Sequence, residues 1–383
     1  MKAVYLVCLK ISLILVLVLP QSAARSASGL PESAQFGYGA RLDVWGQQIN
    51  PSISAAAAMG LSWIGVEFDW TRYWPESSVL PDLNNLYQVM GAAQRGNLSV
   101  LLSVTNAPAW ANTPTGPDPH LTAGLVLSLY RLFPNTLRAA ELFPAANTRS
   151  GWGAEPDPGA YAGLLKTTHT ILQEAGADLL LVAGGLTPLG SARSETDIED
   201  TAFLNSLYQA GTSSYMPVVS TRLVGISGDP LAAPQEGAPV TLRHYERLRK
   251  VMLDNNHTPG LIWITSFTWP QGTSQVNGRA LINHEEEARW ANQAFRLLRS
   301  QLYIGVAFFN QLNPPGPSTA GVQAAAGAVS GSGSLVFADA SLHPACSVVT
   351  QLTAVNANIK TVIFEGSISK KTPMKIEMKP SGP

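Results

Sequence analysis

Ser62-Trp63-Ile64-Gly65-Val66-Glu67-Phe68, then Leu83 to Arg95, then Leu98-Ser99-Val100-Leu101-Leu102-Ser103-Val104 is the stretch that decides the fold. Two apolar runs of strand length flank a segment of helical period, which is the pattern of two parallel strands joined by a crossover helix. The same alternation extends in both directions. Upstream, Phe36 to Leu42 reads as a strand and Ile53 to Met59 as a helix. Downstream, strands are expected at Leu137 to Leu142, Leu179 to Ala183, Val218 to Ile226, Leu261 to Ser266 and Ile304 to Phe309. Helices are expected at Leu121 to Phe133, Pro158 to Ala175, Asp197 to Ala210, Thr241 to Leu253, His284 to Arg299 and Pro344 to Ala354. Eight strand–helix alternations predict an α/β fold, a closed (β/α)8 TIM barrel.

The ends of the chain read differently. Lys2 and Lys10 precede an uncharged apolar run from Ile11 to Leu19, and Ser22-Ala23-Ala24 offers small residues at a cleavage position. That layout predicts a secretory signal peptide over 1–24, hence a secreted or extracytoplasmic (cell-envelope) protein with no membrane span after cleavage. The barrel is assigned to 25–357. Over 358–383, Thr361 to Ile368 and Met374 to Met378 alternate like two short strands, predicting a C-terminal β extension. Cys8 leaves with the signal, so Cys346 has no intramolecular disulfide partner and packing must hold the fold. Charged residues make up 13% of the chain and the formal net charge is −1, which argues against a nucleic-acid partner.

In a barrel of this type functional groups gather at the carboxyl ends of the strands. Those ends deliver Asp43 and Trp45; Glu67, Asp69, Trp70 and Trp74; Asn106 and Trp110; Phe143, Asn147 and Trp152; Ser266, Thr268 and Trp269; and Asn310 and Gln311. Six of the nine tryptophans (Trp45, Trp70, Trp74, Trp110, Trp152, Trp269) fall on this rim. Flat aromatic faces beside the amides Asn106, Asn147 and Asn310 suit sugar rings, with their apolar faces and hydroxyl edges, so an oligosaccharide or polysaccharide is the expected partner. The six histidines are scattered along the chain, and no metal-binding or phosphate-loop pattern occurs. No metal or cofactor is expected.

Two segments carry a family resemblance: Trp263-Ile264-Thr265-Ser266-Phe267-Thr268-Trp269, and Glu141-Leu142-Phe143-Pro144-Ala145-Ala146-Asn147 followed by Gly151-Trp152-Gly153. They resemble strands seven and four of the clan A (β/α)8 glycoside hydrolases that include families 5 and 39. The likeness implies a glutamate nucleophile where Ser266 stands and a glutamate acid/base where Ala145 stands. Gly65 falls at the slot of an arginine that supports the nucleophile in that clan.

Retaining hydrolysis needs two carboxyl groups ~5–5.5 Å apart across the glycosidic bond, and Ala145 and Ser266 supply neither. Acids elsewhere at the strand ends remain candidates: Glu67 and Asp69, which share one strand face, Glu141 inside the barrel, and Asp229. The sequence thus leaves three readings: a carbohydrate-binding pseudoglycosidase, an active O-glycoside hydrolase with relocated carboxylates, or a structural component of a cell-envelope assembly with a protein partner.

Overall fold

The computed structural model describes residues 36–189, 194–270, 282–316 and 334–354. The expected signal segment 1–24 and the C-terminal extension lie outside the described residues. The barrel strands are β1 Gly37–Leu42, β2 Trp63–Asp69, β3 Ser99–Thr105, β4 Leu137–Leu142, β5 Leu180–Leu186, β6 Val218–Val224, β7 Leu261–Thr268 and β8 Ile304–Phe309. Each pairs in parallel with the next, and β1 pairs with β8 from Gly37↔Val306 to Ala40↔Phe309, so the sheet closes on itself as an eight-stranded barrel. The crossover helices are α1 Ile49–Ala58, α2 Asn84–Arg95, α3 Pro119–Leu132, α4 Pro158–Glu174, α5 Asp200–Gln209, α6 Tyr245–Asp254 and α7 His284–Ser300, and α8 occupies 345–354. Among the described residues no helix is long and apolar enough to cross a membrane.

Local chemistry starts the helices where the sequence says it should. Asp118 and Asp157 each accept two backbone N–H groups of the first turn, ahead of Pro119 and Pro158, whose missing N–H is not needed there. Asn283 accepts from the Glu286 N–H, and the acidic first turn Glu285 to Glu287 suits the positive helix end.

Inside the barrel, Leu101, Ala139, Val182, Val218, Leu261, Trp263, Val306 and Phe308 form an apolar plug with Trp63 and Leu180. Trp63 meets Trp263 edge-on at 5.0 Å, a geometry worth about 0.5–1.5 kcal/mol beyond the area buried. The plug closes because β1 carries glycine where the rings cross. A Cβ on Gly39 would lie 2.5 Å from the Phe308 ring. Above the plug, toward the carboxyl ends of the strands, the inward positions turn polar.

Candidate functional site: a charged floor beneath the barrel mouth

The polar layer is built around Glu141 on β4, which is fully buried. Its Oε1 accepts hydrogen bonds from Ser220 (2.8 Å, β6) and Thr265 (2.6 Å, β7). Its Oε2 accepts from Ser103 (2.6 Å, β3) and from the Arg222 Nη2 (3.4 Å, β6). Arg41, from β1, donates to the Ser103 hydroxyl at 2.9 Å. Burial by itself would push the Glu141 carboxyl up, but Arg222, Arg41 and the Ser103 and Thr265 hydroxyls outweigh it and hold the group below the usual carboxylate range. Burial and the neighbouring Arg222 charge lower Arg41 to about 10. Glu141 is therefore an ionised hub whose acceptor positions are filled from three strands, leaving it no capacity for acid/base work on a ligand.

Glu67 stands one layer higher. Its Oε2 lies 3.6 Å from Arg41 and 3.7 Å from Arg222, and the side chain is 47% exposed. Arg222 thus spans the two carboxylates, Glu141 below and Glu67 above. Arg41 reaches this position across Gly65, where a Cβ would come within 2.9 Å of the arginine Cδ and Nη1. The guanidinium beside Glu67 thus reaches it from β1, over a glycine on β2. Sequence reasoning passed over both arginines. The available signal was a charged residue at an inward position of an apolar strand, at Arg41 in β1 and Arg222 in β6.

The other expected site residues divide into those at the surface and those committed to the interior. Asp69 caps the short helix Trp70–Tyr73 through the Arg72 N–H (3.0 Å) and accepts from the exposed Asn106 amide (3.0 Å). Asp229 is exposed and closes a loop turn by accepting from the Leu231 N–H at 2.7 Å. Ala145 is partly exposed, in the left-handed backbone region at φ 63°, with its N–H bonded to the Gly185 carbonyl. Ser266 is buried and lies beside Arg222 in the β6–β7 register. Asn310 follows β8 and is half-buried.

Asn147 departs from the expected role: it is buried, and its amide bonds the Thr187 and Ile198 carbonyls and the Thr187 N–H, tying two loops together. The tryptophan rim also needs correction. Trp70, Trp152 and Trp269 are buried, and the Trp152 and Trp269 indoles donate to the Thr115 and Gly228 carbonyls. These three rings pack the roots of the loops and present no face to a ligand. Trp45 is half-buried with the Arg72 guanidinium 3.7 Å from its ring centre, so one face is already covered. Trp74 and Trp110 remain half-exposed, edge to face at 5.0 Å, fixed by indole bonds to the Val79 and Trp74 carbonyls. The aromatic surface is thus concentrated beside β1–β3.

The expectation that the histidines are scattered is also corrected. His284 Nδ1 lies 2.9 Å from His343 Nε2, which is 3.2 Å from the buried Glu287 Oε2. These donor atoms lie close enough together to invite a metal reading. The tautomers oppose it. The Ala345 N–H donates to His343 Nδ1 at 3.0 Å, so that nitrogen holds the lone pair and Nε2 carries the proton, which it offers to His284. A metal-ligating nitrogen must present a lone pair. In this geometry His343 bonds His284 and sits against the Glu287 carboxyl, clamping the start of α7 to the turn leading into α8. Burial pushes Glu287 above the usual carboxylate range, against the pull of His343 and Thr268.

No protein-family model and no curated protein matches the chain. Solved structures do. A family 39 glycoside hydrolase from the gut symbiont Bacteroides cellulosilyticus WH2 superposes with a TM-score of 0.59 at 15% identity, covering 85% of this chain and 65% of that one. This chain therefore spans about two thirds of that protein's length. A β-glycosidase matches with a TM-score of 0.56 at 12% identity over 85% of this chain and 97% of its own. An endo-β-1,3-glucanase of family 128 from Sorangium cellulosum matches with a TM-score of 0.51 at 14% identity over 82% and 97%. At these identities the likeness establishes the fold: a (β/α)8 barrel of the clan A glycoside hydrolase type.

Proposed function

We propose that this chain uses a glycosidase-type barrel to bind neutral β-glucan-like oligosaccharides without carrying out retaining hydrolysis, and that it does so outside the cytoplasm. The observation that carries the reading is the chemistry of the floor. Ala145 and Ser266 stand where the resemblance calls for a carboxyl pair, and the nearest interior acid, Glu141, has its acceptor positions filled by Ser103, Ser220, Thr265 and Arg222. A retaining mechanism requires one carboxyl to protonate the leaving oxygen and a second to attack, ~5–5.5 Å away. The half-exposed pair Trp74 and Trp110 supports sugar stacking. The names of the similar structures, a β-glycosidase and an endo-β-1,3-glucanase among them, support a carbohydrate ligand. The Lys2–Lys10 segment followed by the apolar run to Leu19 supports export.

The test is titration of the purified protein with cellotetraose and laminaritetraose, with products followed chromatographically over days. Saturable binding without shorter products, weakened in Trp74→Ala and Trp110→Ala, is the expected result. Absence of binding to either tetramer rejects the reading. One observation favours a second reading: Glu67 is a half-exposed carboxylate on the same strand face as Asp69. Turnover that disappears in Glu67→Ala would make the protein a hydrolase with relocated acids.

A further inference from the structure

Resting on that reading of the mouth, we infer that Glu67 is the ligand-anchoring group, accepting hydrogen bonds from sugar hydroxyls, and that it makes the site select uncharged sugars over uronates. The argument begins with capacity. Glu141 is saturated, Asp69 already bonds the Arg72 N–H and the Asn106 amide, and Asp43 bonds the Trp45 and Gly316 N–H groups. Glu67 differs. Its two guanidinium neighbours, at 3.6 and 3.7 Å, stand beyond hydrogen-bond range, and among the described residues no hydrogen bond reaches its carboxylate. Nearly half of its side chain is exposed. A carboxylate accepts two hydroxyl hydrogens at once, and neighbouring hydroxyls on a sugar ring provide that pair.

Charge then sets the selectivity. Arg41 and Arg222 are balanced by Glu141 and Glu67, so the floor is a closed neutral quartet. The arginines sit beneath and beside Glu67, and Arg41 is almost wholly buried. The group that meets the ligand is therefore the carboxylate rather than a guanidinium. A neutral sugar adds hydrogen bonds without disturbing the balance. A uronate brings a second carboxylate up to Glu67, and the like charges oppose binding. Replacing Glu67 by an uncharged isostere leaves Arg41 and Arg222 against Glu141 alone, a floor with one excess positive charge. The preference should then invert.

The experiment compares wild type, E67Q and E67A by calorimetric titration with cellotetraose, laminaritetraose and tetragalacturonate at low and moderate salt, with melting curves as the check on folding. Wild type should bind a neutral tetramer and reject the uronate. E67Q should lose about tenfold or more for the neutral ligand, the usual loss for a charged hydrogen bond, and gain for tetragalacturonate in a salt-sensitive manner. E67A should do the same and keep a melting point near wild type, since Glu67 is half-exposed. A residue with a purely structural role would weaken both ligands together. Equal neutral affinity in wild type and E67Q, or uronate binding by wild type at least as tight as neutral binding, overturns this inference alone. Failure of wild type to bind either neutral tetramer overturns the proposed function with it.

Discussion

Glu141→Ala is the substitution with the largest worked consequence. It removes the acceptor of three hydroxyls and one guanidinium, all inside the barrel. Ser220 keeps the Ala183 carbonyl at 3.1 Å as an alternative acceptor, so its loss is small. Ser103 and Thr265 have no comparable alternative, and Arg41 and Arg222 are left facing one another without the carboxylate between them. Removing one partner of a buried ion pair costs about 3–5 kcal/mol, chiefly from the uncompensated charge left behind. With an unfolding entropy of ~2.1 cal/mol/K per residue over a barrel of roughly 300 residues, the melting midpoint should fall by about 5–8 °C. Differential scanning calorimetry measures it, and Glu141→Gln, which retains one acceptor oxygen, should fall between. The effect also carries a pH signature. The carboxyl is held down in the folded state, so its contribution is full above the ordinary carboxylate value of ~4.3 and is lost as pH falls through the depressed folded value. The gap between wild type and E141A should therefore be constant near neutrality and shrink in acid. A variant melting within about 1 °C of wild type would show that the floor does not hang on this carboxylate.

Three further outcomes are expected. In Tyr161→Phe the buried hydroxyl that donates to the Leu142 carbonyl (2.9 Å) and accepts from the Gly184 N–H (2.7 Å) disappears. Urea unfolding should register a loss of about 1–3 kcal/mol, and an unchanged midpoint would contradict the bridge between β4 and β5. Cys346 is buried, and burial pushes its thiol up to about 11. In a Cys8→Ser background, thiol labelling at pH 8 should be slow and should quicken in step with unfolding; fast labelling of the native protein would contradict the packing of α8. Zinc ions in excess should leave the melting point unchanged, because His343 Nε2 carries a proton; stabilisation by zinc, abolished in His343→Ala, would overturn the tautomer assignment.

The architecture was legible because each strand announces itself locally. β4, expected at Leu137 to Leu142, occupies those residues, and β2 is displaced by one at each end. Helices with a side-chain cap were placed to within two residues, as with α3 behind Asp118 and α4 behind Asp157. The start of α1 was missed by four: Gln48 caps it from the left-handed region with no side-chain bond, and the first turn carries Asn50 and Pro51, which read as loop. The site was less legible, because its geometry is made by strand tilt and loop packing. Strand-end position brings Glu67, Asp69 and Trp74 to the carboxyl ends of the strands, but it does not show that Trp70, Trp152 and Trp269 turn inward as packing for the loops. Nor could it pair Arg41 with a glycine on the next strand, a relation that exists only across the sheet. His284 and His343 are far apart in sequence and meet because α7 and α8 begin side by side at the barrel's closing seam.

The last helix also decides how the protein can be held. α8 is tied near its start to α7 through His343, and near its end Thr353 donates to the Met59 carbonyl, where α1 gives way to β2. That second tie lies at the amino ends of the strands, on the side away from Glu67. β1 enters from that same side. The segment from residue 36 to residue 354 therefore begins and ends at the base of the barrel, opposite the mouth. A reporter fixed at the exposed Ala354 would sit opposite the mouth and leave Glu67 open to solution.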